Sequence, residues 1–262
     1  MEGLIFDSHA HYDDEAFNED RPALLENLPA QGVCRVVNVG ADLQGCYDAV
    51  ALAAQYPYIY AAAGIHPECV KDAPAGALAQ VEALLDRPKV VAVGEIGLDY
   101  HFEDNAPRGV QKEWFGRQLE LANRHGLPVI IHDRDAHGDV MELLRKHRPK
   151  GVVHCFSGSV EMARETIRLG MYVGLGGAVT FKNARVPVEV AADLPLDRLL
   201  LETDAPYMAP VPFRGKRCDS SMIARTAARI AEIRNMPVEE LLTAARQNAS
   251  RLFGIPLEEA SI

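Results

Sequence analysis

Short apolar runs alternate with longer segments of helical period along the whole chain. The runs are Leu4–Phe6, Arg35–Val39, Ile59–Ile65, Val90–Gly94, Pro128–Ile131, Gly151–Val153, Met171–Leu175 and Arg198–Leu201. Most are continuously apolar and do not alternate, the pattern of parallel strands covered on both faces. Between them, Arg21–Ala30, Leu43–Gln55, Ala77–Leu85, Gln111–His125, Asp135–His147, Val160–Leu169 and Asn183–Ala192 read as helices. Asp20 ahead of Arg21-Pro22 predicts a capping residue followed by proline in the first turn. Gly126 and Gly170 stand where the helices ending at His125 and Leu169 stop. Beyond the last run, Ser220–Arg234 and Val238–Phe253, interrupted by Pro237, predict an eighth helix and a terminal extension.

Eight strand–helix units in 262 residues predict an α/β fold, a TIM (β/α)8 barrel. The expected organisation is a single domain over residues 1–262 with a C-terminal helical extension. A doubly wound sheet is the structural alternative. Its best support, Gly174-x-Gly176-Gly177, lacks the full dinucleotide fingerprint.

Composition narrows the class. With 48% hydrophobic and 24% charged residues, the chain is neither disordered, collagen-like nor a coiled coil. The start of the sequence has no signal pattern, and no apolar run approaches the ~18 residues that span a bilayer. The five cysteines are odd in number and none sits in a C-x-x-C pair, so reduced thiols and a cytoplasmic location are expected, with no membrane association. The 37 acidic and 27 basic residues give a net charge of -10. That balance argues against extended, non-specific binding of duplex DNA. It does not exclude a nucleic-acid substrate, because metal ions in a cleft add positive charge locally.

The chemistry lies just after the strands. The first run leads into Asp7-Ser8-His9-Ala10-His11, the third into His66, the fourth into Glu95, the fifth into His132, the sixth into His154 and the eighth into Glu202-Thr203-Asp204. In a barrel these C-terminal ends share one face, where active sites form. His9 and His11, two apart on an extended segment, point the same way and can bind one ion. Imidazole and carboxylate donors suit Zn²⁺, Mn²⁺, Fe²⁺ or Co²⁺, and a carboxylate-rich half suits Mg²⁺. Four histidines and two carboxylates exceed one tetrahedral shell and fit two ions sharing a carboxylate. Glu95, from the fourth strand, is the natural bridge, and Asp204 is placed to ligate and to accept a proton from water.

Other residues carry weaker expectations. Cys155 should face away from His154 by strand alternation. Asp99 and Tyr100 follow Glu95 as candidates for supporting a ligand or touching substrate, and Glu202 as support for the site. His101 and His137 lie near the same face, whereas His125 and His147 fall at helix C-termini. Phe213-Arg214-Gly215-Lys216-Arg217 is the main basic cluster. A charge run is ordinarily a solvated face, but this one lies at the mouth, where it can contact phosphate.

Leu4–His11, Gly64-Ile65-His66-Pro67, Gly94–Tyr100, Pro128–His132 with Arg134, His154–Gly158 and Leu199–Pro206 together resemble the TatD family of metal-dependent deoxyribonucleases and hydrolases, within the amidohydrolase superfamily. The resemblance implies one divalent cation held by His9, His11, Glu95 and Asp204, and a second held by Glu95, His132 and His154. It makes His66 an unligated histidine near the scissile phosphate. The implied catalytic residues are Glu95, Asp204 and His66, and the cofactors two divalent cations (Zn, Mg or Mn). Arg134, Arg214, Lys216, Arg217 and Tyr100 are candidates for substrate contact, and Tyr12, Tyr100, Phe156 and Tyr207 for base stacking. The departures are Tyr12 where the family usually has an aliphatic residue, Asp133 where a small hydroxyl residue is common, Gly138 at a position often acidic with Asp139 one place later, and, more notably, Cys218-Asp219-Ser220 where it often has Asn-Glu-Pro.

The expected activity is that of a deoxyribonuclease, a 3'-5' exonuclease-like phosphodiesterase on single-stranded or frayed DNA, using water activated by two metals. A D-aminoacyl-tRNA deacylase or small-molecule amidohydrolase with the same site is the enzymatic alternative, and a catalytically inert binding protein the third. No stable protein partner is expected, with the chain a monomer or weak oligomer.

Overall fold

Every predicted apolar run forms a parallel strand: β1 (Ile5–Ala10), β2 (Val33–Val39), β3 (Ile59–Ala63), β4 (Val90–Asp99), β5 (Val129–Arg134), β6 (Gly151–Val153), β7 (Tyr172–Leu175) and β8 (Leu199–Leu201). The structure is a computed structural model and describes residues 3–257. Residues 1–2 and 258–262 of the predicted span lie outside the described residues. The helices are α1 (Arg21–Asn27), α2 (Leu43–Gln55), α3 (Ala77–Leu85), α4 (Arg108–His125), α5 (His137–His147), α6 (Val160–Arg168), α7 (Arg185–Asp193), α8 (Ile223–Arg234) and α9 (Val238–Phe253).

Strand order follows chain order, each strand pairing with the next. β8 returns to β1: Ser8 Oγ donates to Leu201 O (3.0 Å), Asp204 N to His9 O (2.9 Å) and His11 N to Ala205 O (2.7 Å). The result is a nearly closed TIM barrel with helices outside. Two apolar clusters fill it. One joins the outward side chains of the strands to the helices. The other contains Phe6, Val37, Ala62, Ala92, Ile130, Val152, Tyr172 and Leu200 together with Phe253 and Ile255. Phe6 and Phe253 stack with centroids 6.3 Å apart, so the end of α9 closes the barrel at the N-terminal ends of the strands.

The departures from expectation are at element boundaries. β4 and β5 run on to Asp99 and Arg134 because Gly97, Leu98 and Asp99 pair with His132, Asp133 and Arg134. Gly97 permits this with φ +150; a Cβ there would stand 2.0 Å from His132 O. α1 ends early because Pro29 opens a 3-10 turn. Asp20 occupies the N-cap position but makes no capping bond, since its carboxylate pairs with Arg217. α8 starts at Ile223, behind a 3-10 turn over Ser220–Met222 capped by Asp219. Gly126 does end α4 in the left-handed conformation (φ 66). No helix among the described residues is long and apolar enough to cross a membrane.

Candidate metal centre

The site begins with Asp7, one turn of the pleat before the paired histidines. Its carboxylate is fully buried and accepts four bonds: from Thr203 Oγ1 (2.6 Å), Ser220 Oγ (2.7 Å), Thr203 N (3.0 Å) and His9 N (3.2 Å). Burial pushes its pKa up to about 6 against those bonds. Ser220 N donates to Tyr12 Oη (2.8 Å), and Ser220 Oγ lies 2.7 Å from the same hydroxyl. Because Ser220 Oγ already donates to Asp7, Tyr12 is the donor in that pair. This network clamps β1 to the segments after β8 and fixes the backbone that carries His9 and His11. It was not read from the sequence, although two of the four departures from the family pattern, Tyr12 and Cys218-Asp219-Ser220, fall at its ends.

Glu95 lies at the centre, 3% exposed. Its two oxygens face different histidines. Oε2 is 3.2 Å from His9 Nε2 and 3.5 Å from His11 Nε2. Oε1 is 2.6 Å from His154 Nε2, 2.9 Å from His132 Nδ1 and 3.5 Å from His66 Nε2. Asp204 Oδ1 stands 3.6 Å from both His9 Nε2 and His11 Nε2. The structure therefore brings His9, His11, His66, Glu95, His132, His154 and Asp204 together at the C-terminal mouth.

The donors fit divalent cations. In each of three overlapping groups (His9, His11, Glu95; His9, His154, Asp204; His66, Glu95, His132) the candidate ligand atoms lie within 4.8 Å of one another. His9 Nδ1 and both ring nitrogens of His154 are buried without a hydrogen-bond partner. His154 Nε2 approaches Glu95 closely but outside hydrogen-bond geometry, and His9 Nε2 and His11 Nε2 confront each other at 2.9 Å. Buried imidazole nitrogens converging on one another and on carboxylates are the arrangement a cation between them stabilises.

Within the cluster, burial and neighbouring charges oppose each other. Burial disfavours ionisation of Glu95, yet His154, His66 and His9 hold it well below the usual carboxylate range. Asp204 is likewise lowered against burial by the bond to His11 and the charge of His154. Burial also opposes charging of His132, but Asp99 and Glu95 raise it to about 10. His11 is raised against burial by Asp204 and Glu95. Burial, reinforced by His154, pushes His9 down to about 4, and burial with His132 lowers His66.

A supporting layer orients these groups. Asp99 Oδ2 takes the Nε2 side of His132 (3.0 Å), and its Oδ1 accepts from His101 N (2.9 Å). Glu202 is buried behind His154, and its Oε1 accepts from the Cys155 backbone N–H. Burial raises Glu202 to about 8. Gly174 leaves the room it needs, for a Cβ there would meet Glu202 Oε2 at 2.3 Å. Cys155 corrects an expectation. β6 ends at Val153 and Cys155 has φ 41, so alternation no longer applies. It is half-buried and within the field of the site's acids: burial first, then Asp204, Glu202 and Glu95, push its pKa well up.

The outer residues divide. Tyr100 is engaged away from the centre, its hydroxyl donating to Asp139 (2.7 Å) under the Arg108 guanidinium (4.3 Å). His101 and His137 pair with Asp135 and Asp133, each at 2.9 Å. Arg217 is committed to structure: it forms a double bond pair with Asp20 (2.6 and 2.7 Å), donates to Ala16 O and lies over Phe17. Among the described residues Arg134, Arg214 and Lys216 form no ion pair. Arg134 rests over Phe102 (4.9 Å) and Arg214 over Phe181 (4.3 Å).

Comparison with known proteins agrees with this geometry. Residues 6–254 match the family model described as TatD related DNase. The chain is 44% identical to the uncharacterized metal-dependent hydrolase YabD of Bacillus subtilis, over 96% of this chain and 100% of the relative. It is 35% identical to a Cronobacter turicensis protein named 3'-5' ssDNA/RNA exonuclease TatD, over 95% of this chain and 97% of that one. The crystal structure of YjjV, a TatD homologue from Escherichia coli, superposes with a TM-score of 0.92 at 36% identity, covering 98% of this chain and 100% of that chain. A fold, a mouth lined with imidazole and carboxylate donors, and relatives matched along nearly their full length converge: the chain belongs to the TatD family of metal-dependent hydrolases.

Proposed function

We propose that this hydrolase is a deoxyribonuclease that removes nucleotides from the 3' end of single-stranded or frayed DNA with the help of two divalent cations. The observation that carries the reading is the division of labour at Glu95, whose two oxygens face two separate histidine groups. His9, His11, Glu95 and Asp204 would hold one cation; Glu95, His132 and His154 would hold the other. When bound, such a pair lowers the pKa of water and neutralises charge developing on a phosphoryl group.

The chain's own groups supply the remainder. Asp204 is the more exposed of the two carboxylates, with 18% of its side chain accessible against 4% for Glu95. It is therefore the one placed to take the proton of an attacking water. His66 points Nε2 into the cluster, and its lowered pKa keeps the ring neutral, able to donate one hydrogen bond to a phosphate or leaving oxygen. Among the described residues Arg134, Arg214 and Lys216 have no acidic partner, which leaves them available to flanking phosphates. The relative named as a 3'-5' ssDNA/RNA exonuclease supports the same substrate class. Five free thiols support a reducing, cytoplasmic setting.

The test is release of nucleotides from end-labelled single-stranded DNA by protein reconstituted with Mg²⁺, Mn²⁺ or Zn²⁺, run beside D-aminoacyl-tRNA and simple carboxylic esters. Shortening from the 3' end is the expected result. Metal-replete protein that leaves DNA intact while hydrolysing D-aminoacyl-tRNA or an ester refutes the DNase reading.

A further inference from the structure

We propose that the cleft beside Asp204 is a subsite for the 3'-terminal nucleotide, with Tyr207 as platform for the base and Arg214 and Lys216 as anchors for phosphate. The inference rests on the phosphodiesterase reading of the metal centre. The cleft encloses about 580 Å³ between Phe181, Pro206, Tyr207, Met208, Arg214 and Lys216. That volume lies within the range of small-molecule sites, about 300–1,000 Å³, and suits a nucleotide better than a length of duplex.

Three features give the cleft its chemistry. First, it adjoins the centre through the backbone, because Tyr207 N donates to Asp204 O (2.8 Å). Second, Tyr207 is 56% exposed, more than any other Phe, Tyr or Trp of the described residues, yet it is held. Its hydroxyl donates to Asp14 Oδ2 (2.9 Å). An exposed aromatic ring already fixed in place is a preorganised stacking surface. Third, the cleft is also lined by the only uncommitted cations of the loop among the described residues. Arg214 rests over Phe181 (4.3 Å) and Lys216 forms no ion pair among the described residues, while Arg217 is consumed by Asp20. Asp14, on the Tyr207 side, repels phosphate. The cleft thus offers an aromatic ring beside an acid for a neutral base, and two free cations for phosphate.

The experiment compares oligothymidylates carrying a natural or an abasic 3'-terminal residue, with wild type, Tyr207→Ala and Tyr207→Phe, each confirmed to hold equal metal. Wild type should show a kcat/KM about ten-fold lower on the abasic end. Tyr207→Ala should lose about ten-fold on the natural end and nothing further on the abasic one, and Tyr207→Phe should stay close to wild type on both. Thymidine 5'-phosphate binding, measured by calorimetry, should weaken about ten-fold in Tyr207→Ala. Arg214→Ala and Lys216→Ala should each reduce the slope of log kcat/KM against log salt by about one. Equal cleavage of natural and abasic ends by wild type, or base and ring effects that multiply, overturns the subsite while leaving nuclease activity standing. Failure of wild type to cleave either oligonucleotide refutes the phosphodiesterase reading and the subsite with it.

Discussion

Tyr12 and Ser220 lie 208 positions apart and are both fully buried, joined by the bonds from Ser220 N and to Ser220 Oγ. Tyr12→Phe deletes one hydroxyl. The ring's packing survives, so no cavity term enters, but Ser220 N–H loses its acceptor in a place water does not reach. An orphaned buried donor costs about 1–3 kcal/mol. Ser220→Ala acts from the other side: Tyr12 Oη loses an acceptor, and Asp7 loses one of its four donors, again about 1–3 kcal/mol. In the double variant no tyrosine hydroxyl remains to be satisfied, so the combined loss falls short of the sum by about 0.5 kcal/mol or more. For a chain of this size each kcal/mol moves the thermal midpoint by roughly 2–4 °C, which puts Tyr12→Phe roughly 2–12 °C below wild type. Calorimetric unfolding of the four metal-loaded proteins measures all three quantities. A Tyr12→Phe midpoint equal to wild type, or strictly additive losses, would show that the network does not clamp β1 as argued.

Other outcomes follow from the same geometry. Glu95→Gln replaces a charged oxygen with an amide donor that cannot face a cation, so elemental analysis should find less metal than in wild type and hydrolysis should fall by about 100-fold or more. Removal of metal with EDTA should abolish hydrolysis and lower the thermal midpoint, with both restored by Mn²⁺ or Zn²⁺; at a free metal concentration 100 times Kd the stabilisation is about 2.7 kcal/mol. Gly97→Ala drives a Cβ into His132 O at 2.0 Å; denaturant titration should show a loss of about 3 kcal/mol or more, and an unchanged midpoint would contradict the tight pairing of β4 with β5. Arg217→Ala should leave the salt dependence of DNA cleavage untouched, whereas Arg214→Ala should flatten it; equal effects would place Arg217 at the phosphates after all.

What could be read in advance had a physical basis. Strands such as Val129–Ile131 are apolar on both faces because helices cover one side and the barrel fills the other, so their pattern needed no knowledge of partners. His66, Glu95, His132 and His154 stood out because a charged or imidazole group directly after such a run leaves few destinations besides the mouth. What escaped depends on tertiary pairing. Asp7, Thr203 and Ser220 are ordinary residues one at a time, and their bonds span 196 and 213 positions. Asp20 reads as a cap and Arg217 as a phosphate ligand until the fold sets them against each other. Cys155 escaped because alternation fails once φ turns positive.

The closure of the barrel by α9 has a consequence for the order of assembly. β1 carries His9 and His11, and it is made before the other strands of the barrel. Its lower end packs through Phe6 on Phe253, and its upper end is bonded to Thr203 and Ser220. Both fastenings come from the last quarter of the chain. A nascent chain stopped between His154 and Thr203 holds all of the candidate histidine ligands but neither fastening of the first two. Competence to gather metal therefore arrives late in synthesis, and a truncated product is left without a finished hydrolytic centre.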